Sequence, residues 1–235
     1  MPVWATGVFL GAASFWYVES PDVNEVWPLK PSDPSDLTWM KLGEGKKTLW
    51  RVADPTRPES LFSTIIREKP CSTLPDWMET SNTSRISPRV KQALDISPAS
   101  TVENNVYHLP AIMLSRIQDL RLTQENALKF LYITAFVTPE FLALLESKDK
   151  RSVFILGWWF KMMRDGELWW MARRAKVEGE AIRVWLQREE PALAELLDSL
   201  GRRKFVEGDG MAPQSPGPSH NAVWGSAGLS AIEAQ

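Results

Sequence analysis

With 235 residues, 44% of them hydrophobic and 24% charged, the chain has the composition of a globular protein able to bury one sizeable core. A net charge of -2 gives no overall attraction to nucleic acid or to an acidic membrane surface. One cysteine, Cys71, and two distant histidines, His108 and His220, exclude an internal disulfide framework and a Cys/His zinc site of the usual spacing.

The apolar stretch from Val3 to Val18 has no basic flank, the first Lys or Arg being Lys30, and it is short for a membrane span. It reads instead as a buried first helix over residues 5–18, with Gly7, Gly11 and Ala12-Ala13 permitting close packing. A loop with Pro28, Pro31 and Pro34 follows. A second helix is predicted from Asp36, capped by Ser35 or Asp36 and weakened by Gly43 and Gly45. Pro58 stands where a first-turn proline would open another helix through Arg57 to Ile66. Residues 69–100 are rich in Pro, Ser and Thr, with one short helix near Pro88 to Leu94.

Ser100 and Glu103 have the spacing of a capping box. The helix it predicts carries Val106, Leu109, Met113, Ile117 and Leu120 at helical spacing, and Pro110 is expected to kink or break it. Thr123 is the expected cap of the next helix, whose apolar side holds Ala127, Leu128, Leu131, Ala135 and Phe136. Thr138-Pro139-Glu140 is a cap followed by a first-position proline. Asp149 caps a helix that is apolar nearly all round from Val153 to Met163, so it is expected to be buried on most sides. From about Glu167 to Arg188 the pattern is amphipathic. Leu168, Met171, Ala172, Ala175, Ile182 and Leu186 form one stripe; Arg173, Arg174, Lys176, Glu178, Glu180 and Arg183 take the other faces. A last helix, Pro191 to Leu200, ends at Gly201. Beyond Val206 the Gly/Pro/Ser/Ala-rich composition predicts a disordered tail. The expectation is an all-α, irregular multi-helix regulatory or ligand-binding-like domain over residues 1–205, followed by a disordered tail over 206–235.

Catalytic chemistry finds little footing. Gly43-Glu44-Gly45-Lys46-Lys47-Thr48 lacks the spacing of a phosphate loop, and no predicted strand precedes it. No Gly-x-Ser-x-Gly elbow occurs, and no activating base stands near Cys71. The chain is therefore not expected to be an enzyme. Arg202-Arg203-Lys204 and Arg173-Arg174 are short basic clusters that a solvated helix end explains as well as a DNA contact does. The densest signal is two Trp doublets, Trp158-Trp159 and Trp169-Trp170, accompanied by Met162 and Met163. Aromatic residues at helical spacing are usually core. The same residues could also line an apolar ligand pocket between helices, because Met adapts its shape and Trp adds area with one donor.

Val26-Trp27-Pro28-Leu29, Asp36 to Lys46, Pro55 to Ser60, Phe141 to Leu145 and Arg151 to Arg174 occur in an order that resembles the C-terminal regulatory region of fungal binuclear zinc-cluster transcription factors. The similarity is greatest to the branch of sterol-uptake-control regulators. It covers most of residues 5–200 and consists of hydrophobic and Trp positions. The resemblance implies an all-α regulatory domain of a transcription regulator in the nucleus, shuttling from the cytoplasm. It also implies a small hydrophobic, sterol-like ligand, with Trp158, Trp159, Met162, Met163, Trp169 and Trp170 as pocket candidates.

The chain departs from the family in having one cysteine where the DNA-reading module needs six around its two zinc ions. No cofactor is expected in this chain, and zinc only with an upstream six-cysteine module. Direct DNA binding is not expected either. Action through a protein partner is, whether a second copy or a full-length related factor, and whether the sequence is a truncated regulatory half or a stand-alone protein. The alternative is a stand-alone carrier or sensor of an apolar small molecule. No membrane span is expected.

Overall fold

The computed structural model describes residues 2–60, 63 and 78–200. Among these residues the protein is all-α, with no strand. The helices are α1 (Pro2–Trp16), α2 (Thr38–Ala53), α3 (Pro88–Ala93), α4 (His108–Ile117), α5 (Ala127–Phe136), α6 (Pro139–Glu146), α7 (Lys150–Met163), α8 (Trp169–Glu189) and α9 (Pro191–Ser199). A single 3-10 turn, Val23–Glu25, sits in the loop after α1. No single helix among the described residues is long and apolar enough to cross a membrane.

The centre of the fold is α7, which packs against α8, α9, α4 and α6. From Ser152 to Phe160 every residue of α7 is buried, as the absence of a polar stripe predicts. Full burial of side chains such as Phe154 and Phe160 contributes about 1.5–3 kcal/mol each. Gly157 sets the helix spacing. A Cβ there would stand 2.7 Å from Ile182 Cγ2 on α8 and 3.1 Å from Leu197 Cδ2 on α9, so only hydrogen lets the three helices approach this closely.

Local chemistry fixes the entry to α7. Thr138 Oγ1 accepts from Phe141 N at 3.2 Å, and Pro139 occupies the first position of α6, as predicted. At the other end of α6, Lys148 is left-handed (φ 56°). Its N–H donates to Leu145 O, and the N–H of Asp149 donates to Leu144 O. This is a Schellman closure with lysine in the usual glycine place. Asp149 then caps α7, accepting from Ser152 N at 2.9 Å, and also accepts from the Tyr107 hydroxyl at 2.8 Å.

Several local expectations are corrected. The first helix runs from Pro2 to Trp16 rather than 5–18, and it is not buried on most sides: Phe9 is 74% exposed, and Val3, Val8 and Leu10 also face outward. The reason is that, among the described residues, α1 is covered mainly on the sides that meet α2 and α8. α2 runs from Thr38 to Ala53 through Gly43 and Gly45, as a helix expected to be weakened but not ended there. Neither Ser35 nor Asp36 caps it, because Asp36 is drawn off to Asp33 N and to Lys30.

Ser100 and Glu103 make no capping box. Ser100 Oγ accepts from Ser97 N, and Glu103 N donates to Thr101 Oγ1. Helix α4 consequently starts at His108, where Pro110 falls in the first turn and breaks nothing. Thr123 donates its N–H to Asn126 Oδ1 in a turn, and α5 begins at Ala127. The buried side of α5 is Phe130, Ile133 and Thr134, while Leu128 is exposed. Residues 55–59 are turns and bends, and Ser60 and Ser63 are not helical either; the remaining residues of the helix expected to Ile66, Cys71, the Gly201 cap and the tail from Val206 lie outside the described residues.

Candidate functional site

The six aromatic and sulfur side chains singled out by sequence are distributed over three environments. Trp159 and Met163 are fully buried. Trp159 packs near-parallel to both Trp39 (centroids 6.0 Å apart, 20°) and Phe160 (5.6 Å, 20°), which also touch each other at 6.0 Å, with Phe15 edge-on at 5.7 Å. Its indole Nε1 donates to Phe130 O at 3.0 Å, so the ring's one polar atom is satisfied.

Trp158 and Met162 reach an open concavity of about 540 Å³, together with Leu120 and Leu200. Gln118, Arg121, Lys161, Arg164 and Asp165 also line it. Lys161 Nζ donates to Leu197 O and Asp198 O, each at 2.7 Å, closing the C-terminal end of α9. Burial holds the Lys161 pKa below its ordinary value.

The second doublet lies elsewhere. Trp170 is half-buried, edge-on to Phe15 at 6.1 Å. Trp169 is 69% exposed and edge-on to Trp16 at 6.0 Å, with the Arg173 guanidinium 4.7 Å above Trp16.

A second concavity, of about 240 Å³, lies between the end of α1, the following loop, the start of α2 and the middle of α8. Arg174 and Glu178, expected on the polar faces of α8, are instead buried to 5% exposure each. Arg174 Nε donates to Phe15 O at 2.8 Å, and Nη2 donates to Ser14 O at 3.0 Å and to Tyr17 O. These are the orphan carbonyls at the end of α1, so one side chain of α8 closes another helix. Arg174 Nη1 pairs with Glu178 Oε1, and its guanidinium lies 4.8 Å above the Trp39 ring. A signal for this burial was present. Glu178 falls three residues after Ala175 and four before Ile182, inside the apolar stripe.

Around this pair, Lys30 Nζ lies 2.6 Å from Glu19 Oε2 and 2.8 Å from Asp36 Oδ1. Burial works against the Lys30 ammonium, yet the bonds to Asp36 and Glu19 together hold its pKa above the ordinary value. Lys148 Nζ donates to Lys30 O at 2.9 Å. Burial pushes the Glu178 carboxyl up to about 7, opposed by the Arg174 charge and reinforced by Asp36. Glu178 Oε2 and Trp39 Nε1 have no hydrogen-bond partner within the protein, and Asp36 Oδ1 has only its ion pair with Lys30.

His108 is buried, its Nε2 3.0 Å from Thr80 O. Among the described residues, no group of three or more His, Cys, Asp or Glu side chains is placed to hold a metal ion. Comparison with known proteins gives no match to any family model, curated protein or solved structure.

Proposed function

We propose that the chain is the helical regulatory domain of a transcription regulator of the fungal zinc-cluster type. It acts in the nucleus through a protein partner, either a second copy or a full-length related factor. One juxtaposition supports this reading. Two of the regions that carry the resemblance, residues 26–46 and 151–174, meet in the core through Trp39 and Trp159, whose rings lie 6.0 Å apart and 20° from parallel. Trp27, Leu37 and Met40 of the first segment are buried in the same cluster as Phe154, Trp158 and Phe160 of the second. A motif whose defining positions are core positions is the kind that a helical fold imposes on its sequence.

The test is to tether the full 235-residue chain to a reporter promoter through an unrelated DNA-binding module. The expected result is a change in reporter output that disappears when Trp159→Ala disrupts the core. No change in either direction, with the fusion present in the nucleus, overturns the reading.

The apolar-ligand alternative has one observation behind it. Trp158, Met162, Leu120 and Leu200 give the larger concavity an apolar floor. A saturable change in tryptophan fluorescence with a sterol, lost in Met162→Glu, is the result that reading requires.

A further inference from the structure

The cavity beneath the end of α1 contains more than a salt-bridge network needs. Its charged lining groups are Glu19, Lys30, Asp36, Arg174 and Glu178, and Lys148 approaches from the end of α6 to the Lys30 carbonyl. With all six ionised the acids and bases balance, so an added ion gains little from the cluster as a whole. What the cavity offers is uncommitted hydrogen-bonding capacity. Glu178 Oε2 and Asp36 Oδ1 are acceptors, and Trp39 Nε1 is a donor; all three are buried, Glu178 Oε2 and Trp39 Nε1 have no partner within the protein, and the three residues line one space. Asp36 Oδ1 has Lys30 Nζ 2.8 Å away as an ion-pair partner but keeps lone-pair capacity. Trp27 and Val26 add an apolar wall. Buried polar groups left unpaired are costly, which favours an occupant that pairs Glu178 Oε2 and Trp39 Nε1 and uses the remaining lone pair of Asp36 Oδ1.

We propose that this cavity is a binding site for a neutral primary carboxamide on a small planar body. Such a group presents two N–H donors and one carbonyl acceptor, the complement of two carboxylate oxygens and one indole N–H. The planar body lies against Trp27. A carboxylate of the same shape is rejected, because it has no donors to give and its charge faces Asp36 and Glu178. The site does not depend on the transcriptional reading above.

Nicotinamide is the probe, with nicotinate as its donor-less counterpart, titrated into the full ¹⁵N-labelled chain. The indole N–H resonance of Trp39, identified by its loss in Trp39→Phe, is the readout. The expected result is a saturable shift with nicotinamide and none with nicotinate. Glu178→Gln should weaken binding by about ten-fold or more, the value of a lost charge-assisted bond. Its amide oxygen stays on Arg174, and its NH2 then meets the ligand's own N–H.

Asp36→Asn carries the same expectation and stands in if Glu178→Gln does not fold. Binding should also tighten from about pH 6 to about pH 8, as Glu178, facing Arg174, Asp36, Lys30 and Glu19, loses its proton. A Trp39 resonance that does not saturate with nicotinamide overturns the proposal. So does an equal response to nicotinate, or full binding retained in both Glu178→Gln and Asp36→Asn.

Discussion

The stack around Trp159 and the cluster around Arg174 are neighbours, joined through Trp39, which stacks on the first and lies beneath the second. Both are buried to a similar degree, and they hold the molecule together by opposite means. The stack gains by removing apolar area from water, and its one polar atom ends on a backbone carbonyl. The cluster gives up the hydration of an arginine and a glutamate, and recovers it through bonds to Ser14, Phe15 and Tyr17 carbonyls and to each other. The stack should therefore tolerate rearrangement of shape but not loss of volume. The cluster should tolerate removal of both charges but not of one.

The largest effect should come from splitting the charged pair. Arg174→Ala strands Glu178 and uncovers the end of α1, at a cost of about 3–5 kcal/mol in urea unfolding. Replacing both, Arg174→Met with Glu178→Leu, should recover most of that loss. A double variant as weak as the single one would show that the α1 carbonyls, not the pair, set the cost. Trp159→Ala should cost about 3–5 kcal/mol through lost burial and the cavity it leaves, and no second substitution at a charged residue should restore it.

The two regions should also part company in their response to pH. The Glu178 pKa lies above its ordinary 4.5, at about 7, so between those values the folded protein holds a proton that the unfolded chain releases. Its contribution to stability is full below about 4.5 and is lost as pH rises through about 7. Compared with Glu178→Gln, the unchanged protein should lose urea resistance between about pH 5 and about pH 8. A difference that grows in the other direction would place Arg174, rather than burial, in control of the carboxyl.

Smaller effects sharpen the packing side of the comparison. Gly157→Ala drives a methyl into Ile182 and Leu197 and should cost about 1–3 kcal/mol, unless α9 shifts outward, which would appear as faster amide exchange in α9. Thr138→Ala removes the cap of α6 and should cost about 1 kcal/mol with the aromatic stack unchanged by near-ultraviolet circular dichroism.

Much of this architecture was legible in the chain. The all-α class, the buried α7, the caps at Thr138 and Asp149 and the short α3 follow from residue spacing, because helix ends and apolar periodicity are decided within a few residues of chain. The failed caps share one cause. Ser100, Thr123 and Asp36 are all good caps, yet each finds a nearer or stronger partner in its loop, and which partner wins depends on where the chain turns next.

The candidate site divides in the same way. Sequence singled out the Trp and Met side chains by type, and Trp158 and Met162 reach a concavity while Trp159 and Met163 are sealed in the core. It passed over Arg174 and Glu178 because an i,i+4 pair of opposite charge on a long helix is ordinarily a surface pair. Only the arrival of α1, 159 residues earlier in the chain at Phe15, removes that pair from water. The sequence by itself determined the helical class, most of the helices and which of them lies deepest, since those depend on local propensity and on the apolar face each helix carries. The tertiary structure decided which polar groups are buried, because burial of a charge depends on what distant segment covers it and whether that segment brings carbonyls to meet it.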